Sequence, residues 1–281
     1  MNMNNVKAVL LLWLIINCFF VLVIVFPLLR AAGTETLPVA FITVGVLNIV
    51  VFLAFLIYYF VVTRRFRFAM AIFKEKGVCV EYLNEMLKIG DKLDYFQREI
   101  IASGYAYLKM FKECEYILDR LPGELTLHGR DKIFYYKLYL VLYLNTGRYK
   151  LACDLFMACR DQLDRYFANS SPVQACSYYD DASLVLAIMG DFRGADSYRA
   201  LAQQKAYKDM SCAFMPYMIT AELYFLDGNI PEGDRNIDAA RAAITGYDRY
   251  KYPWLRDSML TSVNNGAALA KKIRAEVFEN R

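Results

Sequence analysis

A single histidine, His128, serves a chain of 281 residues. That scarcity removes most zinc sites and every Ser-His or Cys-His nucleophile arrangement not built on His128 itself. The seven cysteines are Cys18, Cys79, Cys114, Cys153, Cys159, Cys176 and Cys212; their number is odd and no two form a CxxC pair. They fall mostly on apolar helix faces, as small buried hydrophobes in a reducing compartment do. A glycine-rich phosphate loop is absent. So is the period-two alternation that marks half-buried strands. No motif places a metal, a cofactor or a catalytic group, so neither metal nor cofactor is expected and the chain reads as a non-enzyme.

An excess of either charge is also lacking over most of the length. Residues 77–281 carry 26 bases against 27 acids, although the whole chain is +4. A near-neutral domain argues against nucleic acid as a partner, because phosphate binding needs a basic face. The positive charge gathers instead in Arg64, Arg65, Arg67, Lys74 and Lys76, with Glu75 among them.

What is present in excess is apolar sequence at the start. Val6 to Leu29 contains one charge, Lys7, and Leu37 to Val62 contains none. A bilayer core about 30 Å thick takes roughly 20 apolar residues in helical form. The expectation is an N-terminal transmembrane hairpin over 1–63, with helices at about 6–29 and 37–62. The short link from Arg30 to Thr36 makes them antiparallel. The five bases that follow then put the N-terminus and the rest of the chain in the cytoplasm, as a multi-pass protein of the cell membrane. The first stretch does not read as a signal peptide, having one base before it and no small-x-small cleavage site after it. Asn17 fits poorly before Cys18 in a lipoprotein signal. Asn17 and Asn48 come to similar depth and are expected to bond each other or a third helix.

Beyond residue 64 the apolar residues recur at three and four, which is helical. A longer period lies over that pattern. One segment reads Ala102-x-x-Tyr105 and then Phe111-x-x-Cys114-x-x-x-Leu118. Another reads Leu140-x-x-Tyr143-x-x-x-Gly147-x-Tyr149-x-x-Ala152-x-x-x-Phe156. A third reads Ser183-x-x-Leu186-x-x-x-Gly190-x-Phe192-x-x-Ala195, and a fourth Ala221-x-x-Tyr224-x-x-x-Gly228-x-Ile230-x-x-Gly233-x-x-x-Ile237-x-x-Ala240. Small residues allow close helix approach, and a glycine ends the first helix in the left-handed conformation. Such a hairpin buries its apolar face only by stacking on its neighbours.

These motifs resemble the tetratricopeptide repeat family over residues 91–247. The turn positions Lys109, Gly147, Gly190 and Gly228 are spaced 38, 43 and 38 residues apart, against 34 in the family. Lys109 stands where the turn glycine belongs. The excess length predicts longer links, such as Leu121 to Arg130 and Phe167 to Pro172. The expected fold is therefore all-α: the hairpin over 1–63, a basic connector or degenerate repeat over 64–90, an α-solenoid of about four helical hairpins over 91–250, and a C-terminal capping helix over 251–281.

The resemblance implies that the first helix of each hairpin lines a concave face. In this register the face carries Glu99, Ser103 and Tyr107; Lys137, Val141, Leu144 and Asn145; Asp180, Leu184 and Ile188; Met218, Glu222 and Phe225. The basic, asparagine-bearing clamp for a peptide carboxylate is not reproduced, since Lys137 and Asn145 stand alone among acids. We expect a protein partner to bind here through Tyr107, Lys137, Leu144, Asn145, Asp180, Met218, Glu222 and Phe225, with affinity concentrated in the large side chains Tyr107, Leu144, Met218 and Phe225, or the groove to be filled by the tail helix. The adjacent acids Glu113 and Glu115, and Asp180 and Asp181, diverge by about 100° on a helix and read as solvated faces. His128 reads as a surface residue of a link. The functional expectation is a membrane-anchored adaptor at the cytoplasmic surface; the alternative is a subunit that docks onto a membrane complex through its hairpin.

Overall fold

The computed structural model describes residues 64–279 apart from 90–94 and 122–126, together with Phe52, Leu53 and Ile57. The described residues contain helices and connecting turns, with no strand among them. In chain order the helices are α1 (64–76), α2 (Val80–Leu87), α3 (Tyr95–Tyr107), α4 (Phe111–Leu118), α5 (Gly129–Asn145), α6 (Tyr149–Ala168), α7 (Pro172–Ile188), α8 (Phe192–Ala206), α9 (Met215–Asp227), α10 (Ile230–Thr245) and α11 (Pro253–Ile273). A 3-10 turn, Met210–Cys212, joins α8 to α9, and a π-helical turn, Arg274–Phe278, extends α11.

One expectation of the fold class is corrected. Among the described residues no helix is long and apolar enough to cross a membrane, so the transmembrane hairpin is not part of the described fold. The two longest helices, α6 and α11, have 20 and 21 residues but are amphipathic. Charges such as Arg160, Asp161 and Arg165, or Lys271 and Lys272, interrupt each of them. The segments 6–29 and 37–62, with Asn17 and Asn48, lie outside the described residues except for Phe52, Leu53 and Ile57.

Four hairpins, α3–α4, α5–α6, α7–α8 and α9–α10, follow one design at their turns. Lys109, Gly147, Gly190 and Gly228 all have positive φ, at 60°, 77°, 86° and 92°. The next residue in each case donates its backbone N–H to the carbonyl five residues back: Met110 to Tyr105, Arg148 to Tyr143, Asp191 to Leu186 and Asn229 to Tyr224, at 2.8–2.9 Å. This is the closing bond of a Schellman turn, which satisfies carbonyls that the helix end leaves free. The recurrence of one turn four times makes this an array of helical hairpins. A fifth turn, at Gly77 (φ 75°) between α1 and α2, places another hairpin before it.

The unusual period has two sources: the long link expected before α5 is present, over residues 119–128, but the one expected before α7 is not. The link from α6 to α7 is only Asn169–Ser171, because α6 continues to Ala168. The 43-residue spacing comes from long helices rather than a long loop.

Two apolar cores run through the array. One gathers α1–α5 around Leu83, Met86, Ile101 and Leu118; the other gathers α5–α11 around Phe156, Phe167, Tyr178 and Phe225. Helix α5 serves both, sending Leu138 and Leu142 to the first core and Tyr136, Leu140 and Leu144 to the second. A polar knot pins the middle of the array. Tyr178 and Tyr198 donate to Asp164 at 2.6 and 2.7 Å, and Arg160 donates to the Tyr198 hydroxyl at 3.1 Å.

Candidate functional site

The first helices of the hairpins, α3, α5, α7 and α9, carry equivalent positions ten residues before the turn: Glu99, Lys137, Asp180 and Met218. Four residues further on come Ser103, Val141, Leu184 and Glu222. Residues three to four apart share a helix face, so these positions form rows across the array.

Helix α11 lies over those rows. It packs on the last hairpin, α9–α10, as a cap would, and also reaches the first helices of the earlier hairpins. Near its start, Trp254 donates from Nε1 to the Lys74 carbonyl at 3.3 Å and stacks against Tyr252. Tyr107 donates to Ser258 Oγ at 2.7 Å. Further along, Lys271 caps the Phe225 ring at 4.2 Å, Lys272 donates to the Asn145 carbonyl and Arg274 donates to the Leu226 carbonyl. Tyr149 donates to Glu276. The face that α11 turns inward is its apolar stripe, with Val263, Ala270 and Ile273 buried. The chain's own tail thus fills part of the concave groove.

Between α11 and the repeat helices remains a cavity of about 330 Å³. Asp180, Asp181 and Glu222 line it from α7 and α9, and Met218 and Met259 form opposite walls. Glu222 is completely buried, and Gly266 of α11 lies directly against its Oε1. Neither Glu222 oxygen has a hydrogen-bond donor; nor do Asp180 Oδ1, Asp181 Oδ2 and Glu99 Oε2. An ionised carboxylate only accepts, so facing carboxylates leave one another unsatisfied. A proton on Glu222 removes the conflict by letting it donate to Asp180, with which it pairs.

The electrostatics follow from burial. Loss of hydration raises the carboxyls of Glu99 and Asp181 to about 7 and that of Asp180 to about 6. Glu222 is raised well above the ordinary carboxylate range, first by burial and then by the Asp180 charge. Lys137 is the counter-charge. Burial pushes its ammonium down, while Asp181, Asp180 and Glu99 hold it up. Its Nζ donates to Ser177 Oγ at 2.8 Å.

The structure divides the expected surface residues into two groups. Tyr107, Asn145, Asp180, Met218 and Glu222 line the cavity, and Lys137 stands in the field of its acids. Leu144 and Phe225 do not line it. Both are completely buried core residues, and Phe225 packs against Gly233 inside its own hairpin. The expectation that Phe225 belongs to the concave face is corrected: a ring two residues before Asp227 belongs to the α9–α10 contact. Asp180 and Asp181 are likewise not a solvated face. Both border the cavity, because α11 covers the surface that would otherwise meet water. Asp181, Ser177, Met259 and Gly266 are among the cavity residues that the repeat register missed; for those on α11 its apolar stripe was the available signal. Cys212 also borders the cavity, lies 3.9 Å from Ser211 Oγ and, like Cys176, is free. His128 is exposed at the start of α5.

Comparison of the chain with protein-family models, with curated proteins and with solved structures finds no match.

Proposed function

We propose that this chain is a tetratricopeptide-like adaptor that binds a protein partner on its concave face, beside the tail helix, and that its role is binding rather than catalysis. The observation that carries the reading is the row of first helices around a cavity with buried, unpartnered carboxylates. Unsatisfied buried acceptors are costly, and an incoming donor relieves that cost. The repeated turn geometry supports the tetratricopeptide likeness. A partner at this face meets repeat helices and α11 together, so it recognises the closed tail. We place the site of action at the cytoplasmic membrane surface. The exposed Arg64, Arg67, Lys74 and Lys76 support that reading, since basic clusters are drawn to anionic headgroups.

Site-specific photo-crosslinking in cells tests this. Crosslinkers at Ser103, exposed on α3, and at Val173, on the rim of the cavity, should capture the same protein. Crosslinkers at the exposed Tyr116 and Met157, on the second helices, should not. Capture only from Tyr116 and Met157 overturns the concave-face reading.

A further inference from the structure

We propose that the cavity between α11 and the repeat helices is a binding site for an alkylammonium group, carried either by a free amine or by the lysine side chain of a peptide. The inference goes beyond the adaptor reading and deepens its site. It begins with Glu222, a fully buried carboxyl that reaches the cavity and has no donor on either oxygen. Asp180 and Asp181 stand beside it, each with one oxygen in the same condition. Among the described residues the cation that faces these acids from the repeat helices is Lys137, which is half-buried and donates to Ser177. From the α3–α4 turn, Lys109 reaches the rim, where it is exposed. The tail contributes Met259, Ser262, Asn265, Gly266 and Leu269, none of them charged. Three carboxyls against one lysine leave the cavity short of positive charge.

The shape of the cation follows from the walls. Met215, Met218, Met259, Leu184 and Leu269 make most of the lining apolar. Thioether and leucine walls suit a flexible methylene chain, and three acceptors at one end suit the three donors of an ammonium. A volume of about 330 Å³ is at the small end of ligand sites, so one extended chain fits and a folded peptide does not. Among the described residues no group of three or more acids, cysteines or histidines is placed to hold a metal ion. The geometry therefore favours an organic cation.

Gly266 explains how the site is kept open. A β-carbon there would overlap Glu222 Oε1, so glycine lets the tail close over the acid without displacing it. Without a cation the raised carboxyls share protons. An arriving ammonium favours their charged forms, so binding releases protons. That signature separates charge recognition from simple filling of an apolar hole.

The test is calorimetry on the purified full chain with cadaverine, with the peptide acetyl-Ala-Lys-Ala-amide, and with the diol counterpart of cadaverine. Saturable binding of cadaverine or of the lysine peptide is expected, with proton release seen in buffers of different ionisation enthalpy. Binding of cadaverine alone assigns the site to a free amine; binding of the peptide assigns it to a lysine side chain. Glu222→Gln should weaken either by at least about tenfold. Met259→Trp fills the cavity, leaves every charge in place and should abolish binding; circular dichroism establishes that each variant is folded. Equal binding of the diol, or no binding of either amine up to about 10 mM, overturns the proposal. Loss of amine binding with crosslinks from Ser103 and Val173 intact rejects this inference and leaves the adaptor reading standing. Amine binding with crosslinks only from Tyr116 and Met157 does the reverse.

Discussion

Gly266 of the tail helix stands against the Glu222 carboxylate so closely that a β-carbon would overlap Oε1. This contact decides the sign of a substitution. In an ordinary helix interior, Gly→Ala stabilises by about 0.5–1 kcal/mol, because glycine has more freedom to lose. Here the added methyl meets a buried side chain, and overpacking costs about 1–3 kcal/mol. Gly266→Ala should therefore destabilise the parent in urea denaturation. In a Glu222→Ala background the same change should stabilise. If Gly266→Ala stabilises both, the tail does not lie against Glu222.

The acid cluster sets the pH dependence of stability. Unfolded carboxyls lose their protons near pH 4. In the fold, Glu99 and Asp181 keep theirs to about 7 and Asp180 to about 6, and Glu222 is held well above the ordinary carboxylate range. Between those limits the folded state binds more protons than the unfolded one, so stability falls as pH rises. The contribution is fully present near pH 4 and is progressively lost toward about pH 7 and above. The urea midpoint should be higher at pH 5 than at pH 8. Glu222→Gln should flatten that slope and raise the midpoint at pH 8, equivalent to about 1–3 kcal/mol, since a neutral amide replaces a buried charge without a donor.

The four turns offer a paired experiment. Lys109 holds φ at 60° where the other three turns have glycine. A non-glycine residue in that region is held against a cost of about 1–2 kcal/mol. Lys109→Gly should thus stabilise by about 0.5–1 kcal/mol, part of the gain being offset by greater freedom in the unfolded chain. Gly190→Val should do the opposite. Nothing lies within 4 Å of a β-carbon there, so steric overlap with neighbours is not the reason. The backbone φ of 86° is, and a β-branched residue tolerates it poorly. A loss of about 1–3 kcal/mol is expected, read as a lower thermal midpoint.

Much of this arrangement was legible in the sequence because it rests on local rules. The turn positions follow from Gly147, Gly190 and Gly228 and the small residues around them, and even the departure at Lys109 falls at the same φ. Helix faces follow from spacing, which is why Tyr107, Asp180, Met218 and Glu222 fall together. What periodicity does not carry is distance along the chain. The course of α11 across the groove depends on contacts 151 residues apart, as between Tyr107 and Ser258, and an apolar stripe on a last helix fits a cap and a groove-filler equally well. The same limit hid Asp181, whose burial depends on the covering tail. Phe225 failed for a different reason: one residue of register separates Leu226 from Phe225, and on a helix that is a turn of about 100°.

Tyr107 and Phe225 now have opposite expected outcomes. Sequence alone grouped them on the concave face as partner-binding residues. Phe225 is completely buried, a β-carbon at Gly233 would overlap its ring, and Lys271 lies 4.2 Å from the ring centre. Removing such a ring leaves a cavity that neighbouring helices close only in part, and phenylalanine truncation of this kind costs about 3–5 kcal/mol. Phe225→Ala should lower the thermal midpoint sharply and says little about binding. Tyr107 is half-buried and its hydroxyl joins α3 to α11 by bonding Ser258, chiefly at Oγ (2.7 Å) with the carbonyl at 3.5 Å. Tyr107→Phe keeps the ring and deletes that bond, a loss of about 0.5–1.5 kcal/mol. The repeats should stay folded while the tail helix opens more often. Limited proteolysis should then cut within Pro253–Ile273 faster than in the parent, with hydrogen exchange in α5–α8 unchanged. Equal cutting rates in the two proteins would mean that the Tyr107–Ser258 bond does not hold the tail in the groove.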